Sequence, residues 1–435
     1  MEGHTFSAYP IKNSKKLKAM IAIPLIYFIF LFAWFWSRHR VWNMDLAATS
    51  LLIVISFCAI MIDINDIYDD YGINEKNITI LTLILFCFQW TLVLIPLHLF
   101  SRIPLHKHFP IKEKMLYVFF FIVTLSSFLM ILVKAGDIKE ALIMDVADVR
   151  GQHYKDLASG SDSGSNYLLL PANILTTTPF PTLALFFWFY MKTFMKSSVF
   201  LRAGILIASI VQAILSIVMA GRAALVYWTF DFFLMFSYFY QYLPKATKRK
   251  ILLITSAFAS LVGFMLRYIT LARFDGSDSH RDPFESLYGY AGQHVNNFCT
   301  MIIHGGDAPI TFDRIFPLLS KISGHTFDLF DHYDAITAHL SSNIYVNVFD
   351  TFGGEIFLDL GWFGYIIFFI LLIIATFYIK NYWQEMTFNR VFILVIMISF
   401  FTRGLFAWPF TGHYTTMALA LTLSCCYLFK YAFKI

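Results

Sequence analysis

Charge is what this sequence has least of. Only 14% of its 435 residues are Asp, Glu, Lys or Arg, against about 25% in an ordinary soluble domain. A soluble chain of this length could not cover its surface with so little charge, so a soluble globular fold is excluded. Nucleotide and hydrolase signatures are missing as well. There is no Walker-type P-loop, no G-x-G-x-x-G and no G-x-S-x-G, so those chemistries have no motif behind them. The net charge is only +5 and no Lys/Arg tract stands out, so no nucleic-acid partner is expected. Five cysteines are present, four of them in apolar runs, which gives neither a disulfide framework nor metal-ligand spacing. His325 and His332 are seven residues apart with no third partner nearby. No metal and no other cofactor is therefore expected. The first apolar run has no A-x-A exit, so it reads as a retained span and not a cleaved signal.

What the chain has is apolar and aromatic surface: 58% hydrophobic residues, with 49 Phe, 23 Tyr and 9 Trp. A helix needs about 20 mostly apolar residues to cross a bilayer. Eleven segments qualify, at about 18–37, 45–62, 78–100, 115–134, 167–191, 198–220, 223–241, 251–271, 356–379, 390–409 and 413–432. The expectation is an all-α polytopic integral membrane protein, residues 1–435 forming a single membrane domain. Pro171, Pro179 and Pro181 predict a kinked or broken fifth span. Long connections fall at about 135–166 and 272–355, the second expected to hold short amphipathic helices.

Basic loops mark the cytoplasm. Arg38/Arg40, Arg102/Lys107/Lys112/Lys114, Lys192/Lys196, Lys245/Lys248/Arg249/Lys250, Lys380 and the C-terminal Lys430/Lys434 all fall on one side of an eleven-span count. The other side receives Asp63/Asp66/Asp69/Asp70, an acidic loop lacking the glycine-bearing frame of a calcium site, and both long loops. Lys12, Lys15, Lys16 and Lys18 break the pattern, because the count puts the N-terminal tail outside.

An ionisable group inside a span costs roughly 2.5–3.5 kcal/mol on insertion scales, so each is a candidate site residue. Arg222 sits between spans six and seven among Ala220, Gly221, Ala223 and Ala224; Arg267 and Arg273 lie at the outer end of span eight; Arg403 comes late in span ten; His413 opens the last span. All fall at one outer depth, and charges in the inner halves of spans are almost absent. Arginine forks suit diphosphates, while the plainer reading of a lone arginine is snorkelling to the interface. In the long outer loop, any of several His, Asp or Glu residues could act as a general base.

These features together resemble the Wzy-type polymerases of lipid-linked oligosaccharide repeat units. The likeness is carried by the basic turn Ser37-Arg-His-Arg40, by Lys134-Ala-Gly136 with Arg150 beyond it, and by Ala220-Gly-Arg222. It continues through Arg267 and Arg273, Ser341-Ser-Asn-Ile-Tyr-Val-Asn347, Gly353-Gly-Glu-Ile-Phe-Leu-Asp-Leu-Gly361-Trp-Phe-Gly364 and Arg403. The resemblance implies transfer of a growing glycan from one undecaprenyl diphosphate carrier to a second lipid-linked repeat, at the outer face of a bacterial inner membrane, with the C-terminus cytoplasmic. It implies Arg222, Arg267 and Arg403, then Arg150 and Arg273, on the diphosphate. It implies a base among His325, His332, His339, Glu355 and Asp359, and glycan contacts from Asn343, Tyr345, Asn347 and His413. Donor and acceptor are both undecaprenyl-diphosphate-linked oligosaccharides, and a chain-length regulator is an admissible protein partner. The alternatives are an O-antigen ligase, whose acceptor is lipid A core, and a repeat-unit flippase.

Overall fold

The computed structural model describes residues 14–68, 75–105, 113–143, 169–195, 197–219, 223–256, 260, 263, 283–304, 312, 314–323, 349 and 351–432. Among these the architecture is all-α, with one isolated bridge between Leu105 and Met386 and no strand.

Four long helices open the chain: α1 (Ser14–His39), α2 (Met44–Ile64), α3 (Ile80–Arg102) and α4 (Glu113–Val133). Their starts are locally encoded. The Asn43 side chain caps α2 through the Leu46 N–H, and Thr79 with Thr82 forms a capping box at α3. A short α5 (Ala135–Ile143) follows. The Pro-rich segment breaks as its sequence predicts, into α6 (Leu170–Leu175) and α7 (Phe180–Phe194). Next come α8 (Val199–Leu215), α9 (Ala223–Phe239) and α10 (245–256), then α11 (Pro283–His304) and α12 (Pro317–Ile322). The chain closes with α13 (Thr351–Tyr382), α14 (Phe388–Gly404) and α15 (His413–Ala432).

Met20–His39, Met44–Ile64, Ile80–Arg102 and Thr351–Tyr382 are long and apolar enough to cross a membrane, and Tyr117–Val133 and Val199–Leu215 are shorter apolar helices. This is the build of a multi-pass membrane protein. Large apolar side chains such as Phe30, Phe57, Leu81, Phe121, Phe363 and Phe377 point outward, as lipid-facing positions do. The interior is aromatic, with Trp90, Phe86, Phe186, Phe187, Phe298 and Phe352 essentially fully buried.

One end of the bundle gathers the basic residues. The Met386 N–H bonds the Pro104 carbonyl, the Leu105 N–H bonds the Tyr242 hydroxyl, and Trp383 packs on Phe100. Arg38, Arg102, Lys192, Lys245, Lys248 and Lys380 therefore share this basic end. At the opposite end Asp63 is buried and accepts a hydrogen bond from the Tyr68 hydroxyl at 2.7 Å.

Two segments depart from the sequence expectation. The first is α13. A straight helix would put Phe352 and Phe368 about 24 Å apart at 1.5 Å per residue, yet their rings lie 5.8 Å apart. Phe357 likewise meets Trp362 at 4.8 Å and Tyr365 at 6.0 Å. The chain reverses at Gly361, whose φ of 61° and ψ of −163° are reached essentially only by glycine. So α13 is a helical hairpin. Its first arm, Thr351 to Leu360, starts at mid-depth, where Gln89 near the middle of α3 donates to Thr351 Oγ1 at 3.4 Å. The second arm runs from 362 to 382 and returns to the basic end, so the reversal falls inside the 356–379 segment expected as a single span.

The second departure is α11, inside the 272–355 stretch expected to hold short amphipathic helices. It is a 22-residue helix packed against α2, α3 and α13. Gly292 allows the approach, because any Cβ there would overlap the Cys58 and Ala59 backbone. Gln293, Asn296, Asn297 and Thr300 lower its hydropathy, but they are buried and serve as contacts. Asn297 donates to the Phe349 carbonyl at 2.9 Å, and Asn77 donates to Thr300 Oγ1 at 3.3 Å.

Candidate functional site

The first arm of α13 carries the two acids that the sequence singles out, Glu355 and Asp359, and both are buried. Each meets the segment that leads into α12. Arg314 Nη2 donates to Glu355 Oε1 at 2.5 Å, and the Ile315 N–H donates to Asp359 Oδ2 at 3.0 Å. One turn of helix separates these acids, so they present one face to that segment. Buried carboxylates are tolerable only when charge and hydrogen bonds compensate them, and here both kinds are supplied. These two bonds tie Asp359 to the Arg314–Ile315 segment by its backbone and Glu355 by charge.

A second ion pair lies beside the first. Arg403 Nη1, in α14, donates to Asp231 Oδ2 in α9 at 3.0 Å. Asp231 also accepts from Thr182 at 2.7 Å and from Thr402 at 2.7 Å, and Ser399 donates to Thr182 at 3.0 Å. Three helices are joined by this network. Asp231 sits eight residues into the 17-residue α9, near mid-depth. Arg403 is therefore 7% exposed and ion-paired inside the bundle. Arg403 lies late in its span, one residue before the end of α14, and there it is paired with Asp231.

Tyr227 links the two pairs. Its ring lies 5.4 Å from the Arg403 guanidinium, and the charges of both Arg403 and Glu355 reach its hydroxyl. Phe406 packs on Tyr227 at 5.2 Å, on Phe349 at 5.5 Å and on His294 at 4.7 Å. His294, in α11, is fully buried. The result is a buried cluster with a carboxylate, a guanidinium, a phenol and an imidazole set among aromatic rings. It lies in the half of the bundle away from the basic end, because the first arm of α13 runs outward from mid-depth. Acid–base work on a hydroxyl and binding of an anion are both within reach of such a set. Aromatic faces at its edge suit sugar rings.

Of the residues expected from sequence, Glu355 and Arg403 come together here and Asp359 stands one turn away. His413 opens α15 and is half-buried. Arg150, Arg222, Arg267, Arg273, His325, His332, His339, Asn343, Tyr345 and Asn347 lie outside the described residues. Sequence reasoning missed Asp231 and Arg314, and it did not single out His294 among the histidines of the long loop. The signal for Asp231 was legible: an acid at the centre of an otherwise apolar run, in Phe230-Asp-Phe-Phe233. It also missed Asp45 and His98 at the basic end, so inner-half charge is not absent.

No protein-family model, no curated protein and no solved structure matches this chain.

Proposed function

We propose that the chain is a membrane glycosyltransferase that joins undecaprenyl-diphosphate-linked oligosaccharide repeats into a surface polysaccharide. The observation that carries this reading is the first arm of α13. A half-helix that starts at mid-depth and holds Glu355 against Arg314 beside Arg403, Tyr227 and His294 is more than a span requires. The donor arrives activated, because its leaving group is the carrier diphosphate. What the protein must add is a base for the acceptor hydroxyl and positive charge for the departing diphosphate. Glu355 is the base of this proposal. Arg403 and the arginines of 150, 222, 267 and 273 supply the positive charge.

In the same proposal the chain crosses the bilayer eleven times, the ninth crossing being the second arm of α13. The basic end faces the cytoplasm of a bacterial cell and the half that holds Glu355 and Asp359 faces outward, which the clustering of Arg38, Arg102, Lys192, Lys245 and Lys380 at one end supports. A deletion strain tests the function. Its surface polysaccharide is expected to collapse from a ladder to core plus a single repeat, with the ladder restored by the wild-type gene and not by Glu355→Gln. An unchanged ladder contradicts the reading, and loss of all repeats points to the ligase.

One observation favours a second reading, a lipid-linked repeat flippase. Discontinuous helices that begin at mid-depth and buried mid-depth charge are features of transporters, and both occur here in α13 and the Asp231–Arg403 pair. Accumulation of lipid-linked repeats on the cytoplasmic face of the deletion strain would select that reading.

A further inference from the structure

The basic end holds a cluster that this function does not use. His39 ends α1, Asp45 lies in the first turn of α2, and His98 lies near the end of α3. Asp45 is 1% exposed. Its Oδ2 lies 2.7 Å from His98 Nδ1, 3.0 Å from Ser101 Oγ and 3.2 Å from His39 Nε2. A plain Asp–His hydrogen bond accounts for the first of these contacts, and His39 Nε2 stands at ion-pair distance from the same oxygen. Asp45 Oδ1 and His39 Nε2 are both buried without a hydrogen-bond partner.

We propose that His39 Nε2, His98 Nδ1 and the Asp45 carboxylate bind a divalent transition-metal ion of the zinc class, which fastens together the ends of the first three helices. The three ligand atoms all lie within 4.8 Å of one another. Ligands at 2.0–2.2 Å in a tetrahedral shell stand roughly 3.3–3.5 Å apart. The His39–Asp45 separation of 3.2 Å already nearly fits that spacing. The His98 contact of 2.7 Å has to lengthen by roughly 0.6–0.8 Å to reach it. Two imidazoles with one carboxylate suit zinc, iron, manganese or nickel, whereas calcium and magnesium prefer all-oxygen shells.

The surroundings fit as well. Phe35 packs 5.2 Å from the His98 ring and 6.5 Å from the His39 ring, forming an apolar wall. Ser101 holds the carboxylate from behind, as outer-shell groups at metal sites do. Arg38 is drawn off the cluster, stacking 4.7 Å over Trp34. The histidine side chains are 19% and 14% exposed, which leaves a fourth position reachable from water. Spacing along the chain could not disclose this site, because each ligand comes from a different helix.

The test uses the full chain, purified through a tag without histidine, placed in nanodiscs and stripped with chelator. Titration with cobalt(II) is expected to saturate at about one ion per chain, with the visible absorption of a four- or five-coordinate ion that zinc(II) then displaces. Zinc is expected to raise the melting temperature of the wild type. His39→Gln and His98→Gln, on separate helices, are each expected to weaken binding at least roughly tenfold and to remove the zinc-dependent rise. If one variant does not fold, the other carries the comparison. Absence of saturable binding, or equal affinity in the wild type and the folded variant, would overturn the proposal.

Discussion

The two arms of α13 are neighbours in sequence and opposites in fate. From Thr351 to Asp359 every residue is buried, Glu355 and Asp359 among them. Past Gly361 the chain is apolar and faces outward, Phe363 being 71% exposed. Hydropathy sees one apolar stretch, and the difference lies in the partners. The first arm brings two acids that need partners, among them Arg314 and the Ile315 N–H, so it packs inside the protein. The second arm carries no charged residue before Lys380 at the basic end. A membrane-embedded segment is thus sorted to the interior by the few polar groups it must satisfy, even when most of its residues are apolar.

Substitutions that remove this difference should show it in graded form. The largest effect is expected from Arg314→Met, which removes the cation paired with the Glu355 carboxylate. Breaking a buried pair from one side costs about 3–5 kcal/mol. The melting temperature of the purified protein should fall sharply, and Arg314→Met combined with Glu355→Met should recover most of it. If the single variant melts like the wild type, the pair is not what holds the first arm inside. Next is Gly361→Ala. No atom obstructs the added methyl, so the cost is purely backbone, about 1–3 kcal/mol for a conformation other residues avoid. A cross-link between cysteines at 352 and 368 should form in the parent hairpin and less readily in this variant. A smaller loss is expected at Asn297→Leu, which deletes the bond to the Phe349 carbonyl. Hydrogen bonds between membrane helices average about 0.6 kcal/mol, so a loss of several kcal/mol would mean that α11 is held by that contact more than by its packing on α2. The smallest effect belongs to Phe363→Leu on the second arm, expected within about 0.5 kcal/mol of the parent. A large loss there would mean that this face meets protein instead of lipid.

Much of the fold was legible in the sequence, and for simple reasons. Apolar runs marked α1 to α4 and α15, and Pro179 and Pro181 foretold the break between α6 and α7. The rest was hidden by the same measure that found these. Gly353 to Gly364 merges with the apolar run behind it, so hydropathy does not register the reversal at Gly361. α11 was taken for surface loop because Gln293, Asn296, Asn297 and Thr300 made it look wet. Asn297 and Thr300 find partners inside, which composition cannot register. At the site, Glu355 and Arg403 were identified as costly charges, but their partners Arg314 and Asp231 were not, since each lies tens to hundreds of residues away. The His39–Asp45–His98 cluster was invisible for the same reason.

The most direct measurement is reconstitution: the purified chain in vesicles supplied with an undecaprenyl-diphosphate-linked oligosaccharide repeat, with products resolved by length. The expected result is oligomers of two, three and more repeats with released carrier diphosphate, and a fall of roughly 10²–10⁴-fold in rate for Glu355→Gln at equal protein. Substrate that remains a single repeat, whether it stays in place or merely crosses the bilayer, would contradict a polymerase, and full activity in Glu355→Gln would contradict Glu355 as its base.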